Sequence, residues 1–76
     1  MTNFKLIVTL KDGSHKILRV TKDIVAKLCY RFRQMQKNLF FDIYIVVVND
    51  FALVLNNCRQ LRFIYEDTHR EYLTLE

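Results

Sequence analysis

Glycine occurs once in this chain and proline not at all. These residues supply most of the sharp reversals of a backbone. The places where this chain can turn tightly are therefore few, and the single glycine marks one of them. Gly13 stands in KDGS, between NFKLIVTL and HKILRV. Phe4, Leu6, Val8 and Leu10 recur at every second position, the period of a half-buried strand. Loop length then decides the register. A two-residue Asp12-Gly13 turn sets Leu6 opposite Arg19 and Val8 opposite Ile17. A three-residue loop, Lys11 to Gly13 with Gly13 left-handed, sets Leu6 opposite Leu18 and Phe4 opposite Val20. The second gathers more apolar side chains on one face and is preferred. Residues 3–20 read as a β-hairpin. The same scarcity of turn formers leaves no flexible linker, so 1–76 reads as a single domain.

The hairpin leads into a helix. Thr21 is placed to cap it, and Asp23 lies in the first turn, where the helix dipole favours an anion. The helix runs to about Lys37 or Asn38. At about 100° per residue, Ile24, Leu28, Phe32 and Met35 share one stripe, widened by Val25 and Cys29. In LFFDIYIVVVNDFALVL, strand signals over 40–48 are followed by Asn49-Asp50, which marks a second hairpin. NNCR interrupts, QLRFIYED resumes a strand, THR turns, and EYLTLE closes a last one. The expected fold is α+β, an antiparallel sheet of about five strands in the order β-β-α-β-β-β, with one amphipathic helix packed across a face.

The run at 43–48 is apolar on both faces, with Ile43, Ile45 and Val47 on one and Tyr44, Val46 and Val48 on the other. A half-exposed strand would alternate with polar residues, so this one is expected to be central and covered on both sides. One helix covers one face. The other, carrying Tyr44, Val46, Val48, Phe51, Leu53 and Leu55, needs a second cover, and a second copy of the chain is the expected one. The expectation is a homodimer; a strongly curved monomeric sheet is the alternative.

Catalytic and metal chemistry find little support. Cys29 and Cys58 form no C-x-x-C pair, and His15 and His69 are the only histidines, so no metal-ligand spacing exists. Both cysteines read as reduced, packed small hydrophobes. Ser14 adjoins His15 but lacks a third, orienting group, and neighbours on a strand face opposite ways. The same alternation separates Glu66 from Asp67. One glycine cannot build a phosphate-cradling loop. No cofactor, metal or catalytic residue is expected, and the chain reads as a binding protein rather than an enzyme. MTNFKLIV lacks the layout of a signal peptide, and IYIVVV falls far short of the roughly 20 residues of a membrane span. A cytoplasmic protein with no membrane contact is expected.

The net charge of +4 is concentrated. Residues 22–37 carry Lys22, Lys27, Arg31, Arg33 and Lys37 against Asp23, and the rest of the chain sums to zero. Opposite the apolar stripe, Tyr30 stands near the middle of the exposed arc. Lys27 and Gln34 flank it on one side, Arg33 and Lys37 on the other, and Arg31 lies at the margin. Arginine and tyrosine are favoured interface anchors, and cations beside them suit an acidic protein partner. The same set suits nucleic acid, with cations on phosphates and a ring to stack on a base. A protein partner is favoured, because +4 is modest for a duplex-binding protein and no known nucleic-acid motif is present. In size, composition and layout the chain resembles the small accessory proteins of phages and mobile elements. That resemblance implies an inhibitor or adaptor acting on a host nucleic-acid-handling or defence enzyme. The second expectation is a small dimeric DNA- or RNA-binding regulator using the same helix face.

Overall fold

The computed structural model describes residues 3–38 and 42–76. Over these the chain is an α+β fold in the order β1 (Asn3–Leu10), β2 (His15–Thr21), α1 (Lys22–Lys37), β3 (Ile45–Val48), β4 (Phe51–Val54), β5 (Cys58–Tyr65) and β6 (Glu71–Leu75). A 3-10 turn, Leu55–Asn57, joins β4 to β5. The start of the strand expected over 40–48, Phe40 and Phe41, lies outside the described residues.

The first hairpin takes the three-residue loop. Leu10 N–H donates to the Ser14 carbonyl and Gly13 N–H to that of Leu10. Gly13 has φ 91°, and a Cβ there would meet nothing within 4 Å, so conformation rather than space calls for glycine. The register follows, with Leu6 opposite Leu18 and Phe4 opposite Val20. Asp12 accepts from the amide and hydroxyl of Ser14, and these bonds hold its carboxyl below the ordinary range.

Four strands form the main antiparallel sheet in the order β2-β1-β5-β6. Phe4, Leu6 and Val8 of β1, Val20 of β2, Leu61 and Phe63 of β5 and Leu75 of β6 face the core. Two bulges interrupt the pairing. Thr9 pairs with Gln60 and Leu10 with Cys58, which leaves Arg59 as an extra residue on β5. Phe63 pairs with Leu73 and Ile64 with Glu71, which leaves Tyr72 as an extra residue on β6. Simple alternation along RQLRFIY would set Arg59 on the face of Leu61, Phe63 and Tyr65. The bulge instead turns it to solvent and buries Cys58.

Helix α1 buries Val25, Leu28, Cys29 and Phe32, while Ile24 and Met35 are half-buried. The core stripe is thus rotated toward the Val25–Cys29 side of the one read from periodicity. Thr21 occupies the N-cap with extended backbone, but its hydroxyl makes no capping bond.

The principal departure concerns β3 and β4. Among the described residues they pair only with each other, as a separate two-stranded ribbon, so the strands form two sheets rather than one of about five and β3 is not central. Asn49 and Asp50 have φ 49° and 64°, the paired left-handed conformation of a two-residue hairpin turn. The ribbon folds onto the core that the helix covers. Tyr44, Val46, Val48, Leu53 and Leu55 join the cluster containing Phe4, Leu28 and Phe63. The face expected to meet a second copy is therefore filled by the chain itself, Phe51 alone remaining 37% exposed. Polar contacts close the base of the ribbon and tie its turn to the sheet. Leu55 N–H donates to the Tyr44 carbonyl, Tyr44 N–H to Asn56 Oδ1, and Asn49 Nδ2 to the Arg19 carbonyl at 2.7 Å. Lys16 Nζ lies 3.6 Å from the centre of the Phe51 ring. Ile43, Ile45 and Val47 face outward.

Candidate partner-binding groove

An open groove of about 880 Å³ runs between one flank of α1 and β6. Val25, Ala26 and Cys29 of the helix and Leu73 of the strand give it an apolar floor. Lys22, Tyr30, Arg33, Gln34 and Lys37 rim it on the helix side, and Tyr72 on the strand side.

The β6 bulge makes the strand wall. Regular alternation would send Tyr72 to the face opposite Leu73. As the extra residue it turns toward the helix side, where its ring centre lies 5.0 Å from that of Phe4 and 5.2 Å from that of Tyr65. Phe4 and Tyr65 are themselves 5.1 Å apart, so three mutually packed rings support the wall. At the C-terminal end, Gln36 Nε2 donates to the Glu76 carbonyl and ties β6 to the helix.

Among the described residues the lining carries three cations and no anion. The two acids of β6 and its end are engaged elsewhere. Glu71 accepts from Arg62 Nε at 3.1 Å and from the Thr74 hydroxyl, and Glu76 accepts from Gln60 at 2.8 Å. The Thr74 hydroxyl, then Arg62, hold the Glu71 carboxyl below the usual glutamate value. Burial pushes the Cys29 thiol up, partly offset by Arg33, so a neutral thiol sits in the floor at pH 7.

Of the residues expected on the helix face, Tyr30, Arg33, Gln34 and Lys37 line the groove. Lys27 and Arg31 are exposed but belong to the arc beyond it. Lys22, Tyr72 and Leu73 were not foreseen as part of the site. Lys22 was within reach of periodicity, since at about 100° per residue Lys22, Ala26, Arg33 and Lys37 fall in one narrow stripe. Tyr72 was not, because a bulge breaks the period.

The other polar groups weighed in the sequence have structural partners. Ser14 Oγ donates to Asp12 Oδ1 and His15 Nδ1 lies 3.2 Å from Thr9 Oγ1, so serine and histidine are directed to different neighbours. On β5, Arg62 pairs with Glu71, Phe63 is fully buried and Tyr65 is half-buried, which makes this a core strand. Among the described residues no group of three or more His, Cys, Asp or Glu is arranged to hold a metal ion. No helix among the described residues is long and apolar enough to cross a membrane. The chain matches no protein-family model, no curated protein and no solved structure.

Proposed function

We propose that this chain is a non-enzymatic binding protein, an inhibitor or adaptor, that receives an acidic segment of a partner protein in the α1–β6 groove. The observation that supports this most directly is the lining: an apolar floor bordered by Lys22, Arg33 and Lys37, two tyrosines, and no acid. Carboxylates of a partner gain from the cations at the rim, and its apolar side chains cover the floor. A nucleic-acid strand needs cations tracking a continuous phosphate path. Here Lys22 stands at one end and Arg33 and Lys37 toward the other, with Val25, Ala26 and Cys29 between them.

The test is a titration of the purified chain with an acidic, valine-rich peptide and, separately, with single- and double-stranded oligonucleotides at low and near-physiological salt, followed by amide shifts. The peptide is expected to move Tyr30, Arg33, Tyr72 and Leu73. Arg33→Glu together with Lys37→Glu is expected to weaken it by roughly tenfold, the sum of two rim charge pairs worth a fraction of a kcal/mol to 1 kcal/mol each. Oligonucleotides that outbind the peptide at near-physiological salt would replace this reading with a nucleic-acid one.

A further inference from the structure

The hydrogen-bonding phase of the main sheet can be followed from strand to strand. Leu10 N–H donates to the Ser14 carbonyl, so even-numbered residues of β2 aim their backbone groups at β1, and odd-numbered ones aim outward. Glu66 N–H donates to the Asn3 carbonyl and Tyr65 N–H to that of Arg70, so odd-numbered residues of β5 face β6. In the β5–β6 register Leu73 and Leu75 then face β5, and Thr74 turns its N–H and C=O out of the sheet.

The two edges of the sheet are unlike. On β2 the outward carbonyl of Arg19 is taken by Asn49 from the ribbon, and the strand bears His15, Lys16 and Arg19, charges that discourage edge pairing. The β6 strand, EYLTL, has no lysine or proline, and Gln36 reaches only the carbonyl of Glu76 beyond its last residue. This second edge borders the cation-rimmed groove.

We propose that the partner segment adds to β6 as an extended fifth strand of the main sheet, bonded to the Thr74 backbone, with every second side chain lodged beneath the flank of α1. This rests on the groove reading above and specifies how the groove is used. The occupant is an acidic peptide because of charge complementarity. Lys22 and Lys37 are separated along the helix by about 22 Å, which an extended chain covers in six or seven residues at ~3.4 Å each. Acids at both ends of such a stretch meet Lys22 at one end and Arg33 and Lys37 at the other. Two or three apolar side chains at alternate positions between them meet Val25, Ala26, Cys29 and Leu73. Main-chain bonds supply affinity in this mode, and the alternate side chains supply selectivity.

The probe is a peptide of about nine residues, long enough to span this stretch with its flanks: valine, isoleucine and valine alternating with threonine, with two glutamates at each end. Binding is expected to slow exchange of the Thr74 amide by about tenfold or more. N-methylation of the peptide at alternate residues is expected to weaken binding by about tenfold per lost hydrogen bond, and methylation of the intervening residues to leave it unchanged. Thr74→Pro removes the outward N–H at a position where an edge strand tolerates proline, and should abolish binding. Should Thr74→Pro fail to fold, the methylated series decides alone. A peptide that binds in an Arg33-dependent way, yet shows no alternation on methylation and no Thr74 protection, overturns strand addition and leaves the groove reading standing. No peptide binding at millimolar concentration, or an oligonucleotide taking its place at the same residues, overturns both.

Discussion

Replacing valine by threonine along β3 separates an inward from an outward side chain without altering shape or β-branching. Val46 is 2% and Val48 1% exposed, whereas Val47 between them is 61% exposed. Threonine differs by one hydroxyl in place of a methyl, so strand propensity is nearly constant across the series. At 46 or 48 that hydroxyl enters an apolar cluster of Leu28, Phe32, Leu53 and Leu55 and pays the desolvation of an unpaired polar group, about 1–3 kcal/mol. At 47 it meets water, and the change should stay within about 0.5 kcal/mol. A domain of this length has a total stability of about 4–11 kcal/mol, so the inward substitutions remove a measurable share without abolishing the fold. The assay is urea unfolding followed by circular dichroism. With a urea slope near 1 kcal/mol/M for a small domain, Val46→Thr and Val48→Thr should lower the midpoint by about 1–3 M, and Val47→Thr by less than about 0.5 M. Equal losses at 46 and 47 would overturn the placement of the ribbon and restore a strand covered on both faces. A loss at 47 that grows with protein concentration would mean that a second copy covers the outer face of the ribbon in solution.

Three further outcomes follow from single contacts. Gly13→Ala forces a side chain into φ 91°, which should cost about 1–2 kcal/mol in the same unfolding assay, with no loss of packing because nothing lies near the new Cβ. Glu71 has a lowered pKa, so its contribution to stability is complete above the ordinary glutamate value and fades as pH falls through the depressed one; Thr74→Val should return its carboxyl resonance toward the usual titration, with the acid limb of stability flattened below that range. Cys29 and Cys58 both have thiols raised by burial, so maleimide labelling near pH 7 should be slow at each. Arg33→Glu should slow Cys29 further while leaving Cys58, whose nearby cation is Lys11, unchanged.

Local signals carried much of the architecture. Gly13 and the apolar register around it specify the first hairpin to the residue, and Asn49-Asp50 specifies the second. The helix ends at Lys37, where its period ends. What periodicity could not convey was how the pieces stack. A run that is apolar on both faces satisfies equally a strand buried on both sides and a ribbon with one face in the core, because β-branched residues favour strands whether or not they are covered. The contact of Asn49 with the Arg19 carbonyl and the burial of Val46, Val48 and Leu53 against Phe4, Leu28 and Phe63 mark the second, and they carry no local pattern. The groove divides the same way. Its helical half was legible from charge and Tyr30. Its strand half depends on Tyr72, whose direction is set by one unpaired residue in β6.

The unlike edges of the main sheet also bear on how many copies can join through it. On β2 the ribbon's Asn49 occupies the Arg19 carbonyl, so among the described residues the β6 edge is the less obstructed one, and sheet-to-sheet association is easiest β6 to β6. Antiparallel pairing of a strand with its own image is a two-fold operation, which uses both open edges at once and then has nothing left to extend. A filament of such sheets needs a head-to-tail contact, β6 of one molecule on β2 of the next, and that contact competes with Asn49 for the Arg19 carbonyl. The asparagine-aspartate turn that closes a small hairpin thus also places a side chain on the sheet edge where open-ended growth would have to begin.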